Sequence, residues 1–392
     1  MTKILSIETS CDETSLAILD WCNKNEFELL SHLTHSQIAL HRKYGGVYPS
    51  LARREHQKNI MPLLFSALKE SGLLEARTKP KELSAVDKKA IHAILERDPE
   101  IAEKIITLAE QYKKPLLKAI AVTYGPGLEI ALWTGFNTAR ALAHIWDITL
   151  IPTNHMEGHI YASLIQKIKS KNNDSYALKQ IAYPSLAVLI SGGHTELVRI
   201  DDKHRYTIIG ETLDDAVGEA FDKSARLLGL PYPGGPEISR QADLARLLGS
   251  RAPKWGLPRP MIHSGDYNFS FSGLKTAVRR AVESRARISK KFKQELALEF
   301  EEAVAEVLIH KTRQAIGAYD VQNLIVGGGV SANAYLREQF QTLADEYSIS
   351  LYLPDLSLSG DNALMINLAG YQRFIHKKYP SSITRVDGNL AL

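Results

Sequence analysis

Three short apolar runs, each broken by a cluster of small and polar residues, restrict this chain more than any other feature. Ile4-Leu5-Ser6-Ile7 leads into Glu8-Thr9-Ser10-Cys11-Asp12-Glu13-Thr14 and then Ser15-Leu16-Ala17-Ile18-Leu19, the pattern of two strands around a tight turn rich in hydroxyls and carboxylates. The same hairpin arrangement returns in residues 185–190, Ser191-Gly192-Gly193-His194-Thr195 and residues 196–200, where glycines let backbone N–H groups approach an anion closely. A third strand, Leu324-Ile325-Val326, passes through Gly327-Gly328-Gly329-Val330-Ser331-Ala332-Asn333 into a helical stretch, whose N-terminus could take a nucleotide. One glycine-rich turn says little, because such turns are common for conformational reasons alone. Two hairpins and a late strand-glycine-helix unit predict two duplicated α/β lobes with a nucleotide clamped between them.

The 392 residues are 44% hydrophobic and 23% charged, a globular composition with material for about two to three domains. The division expected is an N-terminal lobe over 1–150 and a C-terminal lobe over 151–392. Lys+Arg 48 against Asp+Glu 44 leaves a net charge of +4, too little to attract nucleic acid through a global field, so any basic surface must be local. The two cysteines, Cys11 and Cys22, form neither a CxxC pair nor a framework, which reads as a reduced, cytoplasmic protein. No uncharged apolar stretch approaches the ~18 residues of a membrane span, and the first apolar run is interrupted at once by charges, so neither a signal peptide nor a membrane segment is expected.

His155 and His159 stand four apart in Asn154-His155-Met156-Glu157-Gly158-His159. On a helix both imidazoles share one face, one turn apart, where they can reach a single metal ion. Separate packing or solvation of each ring competes with ligation at this stage. A zincin would carry its glutamate directly after the first histidine, where this chain has Met156.

Taken in order, Ser6-Ile7-Glu8-Thr9-Ser10-Cys11-Asp12-Glu13-Thr14, the stretch 41–56 (HRKYGGVYPSLARREH), the NHMEGH run, Ser191 to Thr195, residues 214–236 (DDAVGEAFDKSARLLGLPYPGGP), Phe269-Ser270-Phe271-Ser272-Gly273-Leu274-Lys275 and Ser359-Gly360-Asp361-Asn362-Ala363 resemble the tRNA N6-adenosine threonylcarbamoyltransferase family, in its bacterial form. The resemblance implies an α/β, actin-like ATPase fold of duplicated RNase H-like lobes, shared with sugar kinases and seventy-kilodalton heat-shock chaperones. It implies transfer of a threonylcarbamoyl group from threonylcarbamoyl-AMP to the exocyclic amine of the adenosine 3′ of the anticodon, in tRNAs reading codons that begin with A. A non-catalytic scaffold paralogue and an ATP-dependent kinase of the same fold are the alternatives; the first would be expected to lack the metal ligands and the second would need no histidine pair.

By this resemblance the metal ligands fall on His155, His159 and Asp361, a mixed imidazole and carboxylate set that suits iron, zinc or manganese without choosing among them; Fe(2+) is the ion expected, with Zn(2+) as an alternative. Asp361 could equally cap the helix that follows it. The substrate contacts fall on Leu189, Ile190, Ser191, Gly192, Gly193, Asp222, Gly235 and Asn333: Ser191 to Gly193 for the phosphate, Asp222 and Gly235 for the ribose, Asn333 for the nucleoside. Asp12 and Glu13 are candidates to take the proton that the attacking amine must lose, against a purely local role in the turn. Expected partners are tRNA, a paralogous scaffold subunit and a P-loop ATPase, with no membrane. Lys275, Arg279, Arg280, Arg285 and the lysines after them form one basic stretch, and His41, Arg42, Lys43, Arg53 and Arg54 another. Either could track phosphates or be a solvated face.

Between Gly72 and Lys118 the chain carries a segment that the family pattern lacks, at about 73–118. Asp98-Pro99-Glu100 reads as a helix start with Ile101, Ile105, Leu108 and Tyr112 at helical spacing, predicting a charged helical hairpin on the surface.

Overall fold

The computed structural model describes residues 2–168, 174–202, 205–250, 255–380 and 383–392. In chain order the first elements are β1 (Thr2–Glu8), β2 (Glu13–Trp21), β3 (Glu26–Ser36), α1 (Ile38–His41), α2 (Pro49–Glu70), α3 (Ala85–Ile94), α4 (Pro99–Gln111), β4 (Ala119–Gly125), α5 (Glu129–Trp146), β5 (Thr149–Asn154), α6 (His155–Ala162), β6 (Ile165–Ile168) and β7 (Ser175–Leu178). They are followed by β8 (Ser185–Ile190), β9 (Thr195–Asp202), β10 (Arg205–Glu211), α7 (Val217–Leu227), α8 (Gly234–Leu247), α9 (Ser272–Glu283), α10 (Lys290–Tyr319), β11 (Asn323–Gly327), α11 (Ala334–Glu346), β12 (Ser350–Tyr352) and α12 (Ala363–His376). All the strands read from the small-residue clusters are present.

The chain forms two units. The first comprises 1–37, 47–179 and 361–392, the second 38–46 and 180–360. The first therefore runs past the expected boundary at 150, because β5 pairs in parallel with β4 and the β6/β7 hairpin joins β3. It also reclaims the C-terminus. Helix α12 lies on the sheet face formed by Ile4, Ser6 and Ala121: Ser6 Oγ donates to Ala363 O at 2.7 Å, and Asn367 Nδ2 donates to Ile4 O at 2.8 Å. Gly370 is close enough to Ala121 that a Cβ there would meet Ala121 Cβ at 2.5 Å.

Each unit follows one plan. In the first, β1, β2 and β3 form an antiparallel meander and β4 and β5 add in parallel beyond β1, giving the order β5-β4-β1-β2-β3-β7-β6. In the second, β8, β9 and β10 form the meander and β11 and β12 add in parallel, giving β10-β9-β8-β11-β12. Period-2 alternation sorts the faces: Leu5, Ile7, Leu16, Ile18, Ile120 and Val122 meet α2, α4 and α5 in the first core, while Leu186, Val188, Ile190, Leu197, Leu324 and Val326 meet Phe221, Leu296 and Phe300 in the second.

The segment 73–118 is a helical hairpin, α3 and α4, as the pattern predicted. Its apolar side is not surface: Ile91, Leu95, Ile101, Ile105 and Leu108 are buried in the first core. Pro99 occupies the first turn of α4, and Asp98, buried before it, accepts from Arg53 Nη2 at 3.2 Å and from Gln57. The insertion is thus part of the first unit's core.

Candidate functional site

Asn154, the last residue of β5, accepts hydrogen bonds from Met156 N at 2.8 Å and Glu157 N at 3.3 Å. This cap starts α6 immediately after the strand, making His155 its first residue and His159 the residue one turn on. The two rings have centroids 4.8 Å apart and stand at 86°. At the start of α12 it is Asn362 that caps, accepting from Met365 N at 3.0 Å. The capping alternative for Asp361 therefore belongs to its neighbour, and the Asp361 carboxylate is free to reach the histidines. Its Oδ1 lies 3.3 Å from His155 Nε2 and 3.2 Å from His159 Nε2.

These separations fit a metal centre. Bonds of about 2.1 Å at right or tetrahedral angles place ligand atoms roughly 3.0–3.4 Å apart. His159 is buried with neither ring nitrogen in a well-formed hydrogen bond, its Nε2 facing the Asp361 carboxylate at 3.2 Å, so a cation between the two would satisfy that nitrogen and the carboxylate together. The three side chains form a group that could hold a metal ion.

Charge around the group points the same way. Glu8, fully buried, lies with Oε2 3.2 Å from His155 Nδ1, while its Oε1 accepts from Ser10 N and its other oxygen accepts from the Thr123 hydroxyl. Burial opposes a charge on His155, yet Asp361 and Glu8 outweigh it and push the imidazole up to about 10. His159 is held below its ordinary value, chiefly by burial. Burial likewise opposes a charge on Asp361, but the two histidines drive its carboxyl far below the usual range. A pocket that favours positive charge this strongly suits a cation.

Asp12 ends the β1–β2 turn and Glu13 opens β2. Asp12 Oδ2 is buried with no hydrogen bond. Glu13 accepts from Ser36 Oγ at 3.1 Å, and burial, followed by the charges of Asp12 and Asp361, pushes its carboxyl up to about 10. The Glu13 carboxyl therefore holds a proton more tightly than an ordinary carboxyl does. Glu157 is buried and paired with Arg373, as far from a zincin base in its role as in its position.

The other expected contacts all lie in the second unit. Ser191 closes the β8–β9 turn, its N donating to His194 O at 2.9 Å and its Oγ accepting from His194 N at 3.1 Å. Gly192 and Gly193 are exposed, with open space where a Cβ would stand. Gly218, in the first turn of α7, donates to Ser191 O at 3.2 Å, and a Cβ there would meet that oxygen at 2.6 Å. Asp222, further along α7, accepts from Gly234 N at 2.6 Å at the start of α8, beside Gly235. Asn333 caps α11 through Leu336 N at 2.9 Å, and its Nδ2 donates to Ser239 and Glu301, both at 2.7 Å. That amide is committed to the scaffold, a role that its place in the motif did not reveal. Sequence reasoning also missed Glu8 and Glu301: Glu8 opens a polar cluster and Glu301 sits in an acidic helical stretch with Glu299 and Glu302, so nothing in the sequence set either apart as fully buried.

The repeated meander with two parallel strands defines the actin-like α/β fold. Full-length HypF in its phosphate- and nucleotide-bound form shares it with a TM-score of 0.51 at 10% identity, over 95% of this chain and 46% of that one. The chain belongs to the tRNA N6-adenosine threonylcarbamoyltransferase (TsaD) family, which it matches over residues 28–86 and 88–368. It is 41% identical to the tRNA N6-adenosine threonylcarbamoyltransferase of Burkholderia mallei (strain ATCC 23344), covering 97% of this chain and 94% of that protein. The enzyme of the same name from Persephonella marina is 40% identical over 95% and 90% of the two chains, and that of Paraburkholderia xenovorans 42% identical over 94% and 92%. The activity is that of a transferase modifying tRNA adenosine, and the scaffold and kinase alternatives give way to it. No helix among the described residues is long and apolar enough to cross a membrane.

Proposed function

We propose that this chain transfers threonylcarbamoyl from threonylcarbamoyl-AMP to N6 of the adenosine 3′ of the anticodon, in tRNAs that read codons beginning with A. The observation that carries this reading is the convergence of His155, His159 and Asp361, with His159 Nε2 buried and facing the Asp361 carboxylate without a well-formed hydrogen bond. These three residues would hold a divalent transition metal, Fe(2+) or Zn(2+), since two imidazoles and one carboxylate suit either ion. When bound, such an ion supplies Lewis acidity and fixed positive charge for a carbonyl or phosphoryl oxygen.

The remaining work falls to the protein's own groups. The adenylate is a mixed carbamic and phosphoric anhydride, so AMP leaves readily and catalysis consists mainly of placement. The exposed amides of Gly192 and Gly193 would bind its phosphate, with Leu189, Ile190 and Ser191 setting the turn. Asp222 and Gly235 would take the ribose. Asn333 would shape the nucleoside end by fixing the start of α11 against α8. N6 attacks the carbamoyl carbon, the C–N bond forms, the C–O bond to phosphate breaks, and the N6 proton passes to Asp12, whose Oδ2 has no other partner. Glu13, neutral, serves as a hydrogen-bond donor beside it. The target base lies in a loop already single-stranded, so presenting it requires little unpairing.

A paralogous scaffold subunit and a P-loop ATPase are the expected partners, in the cytoplasm. The deciding experiment supplies labelled threonylcarbamoyl-AMP and tRNA to the chain with its partners. Label should enter N6 of that adenosine, and His155→Ala should abolish entry. Undiminished transfer by His155→Ala would defeat the reading.

A further inference from the structure

Arg53 and Arg54 belong to the first unit, whereas His41, Arg42 and Lys43 belong to the same unit as the basic stretch around 279, since 38–46 is built into the second unit together with α7 and α9. Arg226 of α7 joins them. Its Nη2 donates to Gly45 O, and Arg42 Nε donates to Tyr232 O at 2.9 Å at the head of α8. Gly45 has φ +67°, and a Cβ there would stand 3.2 Å from Arg226 Nη2, so this contact needs glycine. The same Arg226 lines a groove of about 210 Å³ with Lys223, Leu227, Lys275, Thr276 and Arg279.

The groove is ordered from beneath. Asp215 takes Lys223 Nζ at 2.7 Å and Lys275 Nζ at 2.9 Å, one on each oxygen, and Lys223 also meets Glu219 at 2.6 Å. Asp214 is consumed by the Ser270 and Ser272 hydroxyls and the Phe271 and Ser272 amides. Arg279 has only a loose 4.0 Å approach to Glu283. Arg280 and Lys43 are exposed, with no ion pair among the described residues. Tyr44, 60% exposed, follows Lys43 on the Arg42–Gly45 turn. Cations outnumber the carboxylates paired with them, and an aromatic face is set at their edge. That combination suits a nucleic-acid backbone with an unstacked base better than an acidic protein.

We infer that this surface, from Lys43 and Tyr44 across Arg226 to Arg279 and Arg280, docks the phosphodiester backbone of the substrate tRNA. The inference rests on the chain acting on tRNA but not on the metal centre or the adenylate contacts. Docking here is electrostatic: every cation withdrawn from a phosphate should flatten the log–log dependence on salt by about 0.7–0.9.

The test is the complete transfer reaction, with kcat/KM for tRNA measured across a salt series. Arg279→Glu with Arg280→Glu should raise the KM for tRNA by about tenfold or more near 0.1 M salt and reduce the salt slope by about 1 to 2, with the KM for threonylcarbamoyl-AMP unchanged. Lys43→Glu should act in the same direction, because Arg226 ties the Arg42–Gly45 turn to the groove beside α9. Tyr44→Ala should weaken tRNA binding without changing the slope, as a stacking interaction would. An unchanged tRNA KM and slope in the Arg279/Arg280 variant overturns the proposal. A lowered kcat at unchanged tRNA KM also overturns it, and assigns the surface to a protein partner. Wild-type inactivity on tRNA would defeat the functional reading itself, a result distinct from either.

Discussion

Glu8 Oε2 lies 3.2 Å from Nδ1 of His155, the ring nitrogen turned away from Asp361. A carboxylate in that position fixes which nitrogen of the imidazole faces the metal and raises its basicity. Replacing Glu8 with Gln should lower metal affinity by about 10- to 100-fold while leaving the fold intact, because Gln can keep one of the bonds to Ser10 N and Thr123. Titration of the purified apo chain with Fe(2+) or Zn(2+) reads this directly, and an unaltered affinity would show that Glu8 does not orient the ligand.

Metal removal should be felt in stability as well as in activity. A ligand that binds only the folded chain stabilises it by about 2.7 kcal/mol at 100 times its Kd. Chelation should therefore lower the Tm of the wild type and leave that of Asp361→Asn nearly unmoved, which differential scanning of both proteins would check.

Glu196 predicts a pH effect in the second unit. Its carboxyl is buried on β9 with Oε2 unpartnered, directly across from Glu211, and burial, then Glu211, push it from its ordinary 4.5 to about 7. The folded state thus holds this proton more tightly than the unfolded state. Stability is fully present below pH about 4.5 and is lost as pH rises through about 7, by up to about 3 kcal/mol. Glu196→Gln should flatten that slope, so the gap in urea midpoint between variant and wild type should open from pH 5 to pH 8. A gap that stays constant would remove Glu196 as the cause.

Gly218 tests the anion-binding turn. A Cβ at this position would press on Ser191 O at 2.6 Å and Gly192 Cα at 2.9 Å. Although alanine suits a helix better than glycine by about 1 kcal/mol, Gly218→Ala should displace the turn and raise the KM for threonylcarbamoyl-AMP, with the KM for tRNA unaffected. Equal rises in both would point to general disruption.

Ile105, fully buried on α4, tests whether the insertion belongs to the core. Ile105→Ala should cost about 2–5 kcal/mol in urea unfolding. A loss under about 0.5 kcal/mol, the range of ordinary surface changes, would show that the hairpin is only appended.

What the chain's own pattern determined is local and periodic. Alternating apolar residues around the turns at Thr9 and Gly192 specify strands and hairpins, because a strand's two faces are written in neighbouring residues. The spacing of His155 and His159 specifies a shared helix face for the same reason, and Asp98-Pro99 marks the start of α4. The tertiary structure decided what those faces meet. That Asp361 meets the two histidines, that Glu8 backs His155, that Asp361 joins burial and Asp12 in raising the Glu13 carboxyl, and that Arg226 carries the turn at Gly45 to the groove beside α9 all depend on segments remote in sequence. Such meetings follow from the packing of α12 on β1 and of 38–46 in the second unit. No short stretch of residues carries that packing, since it is a property of whole surfaces excluding water together.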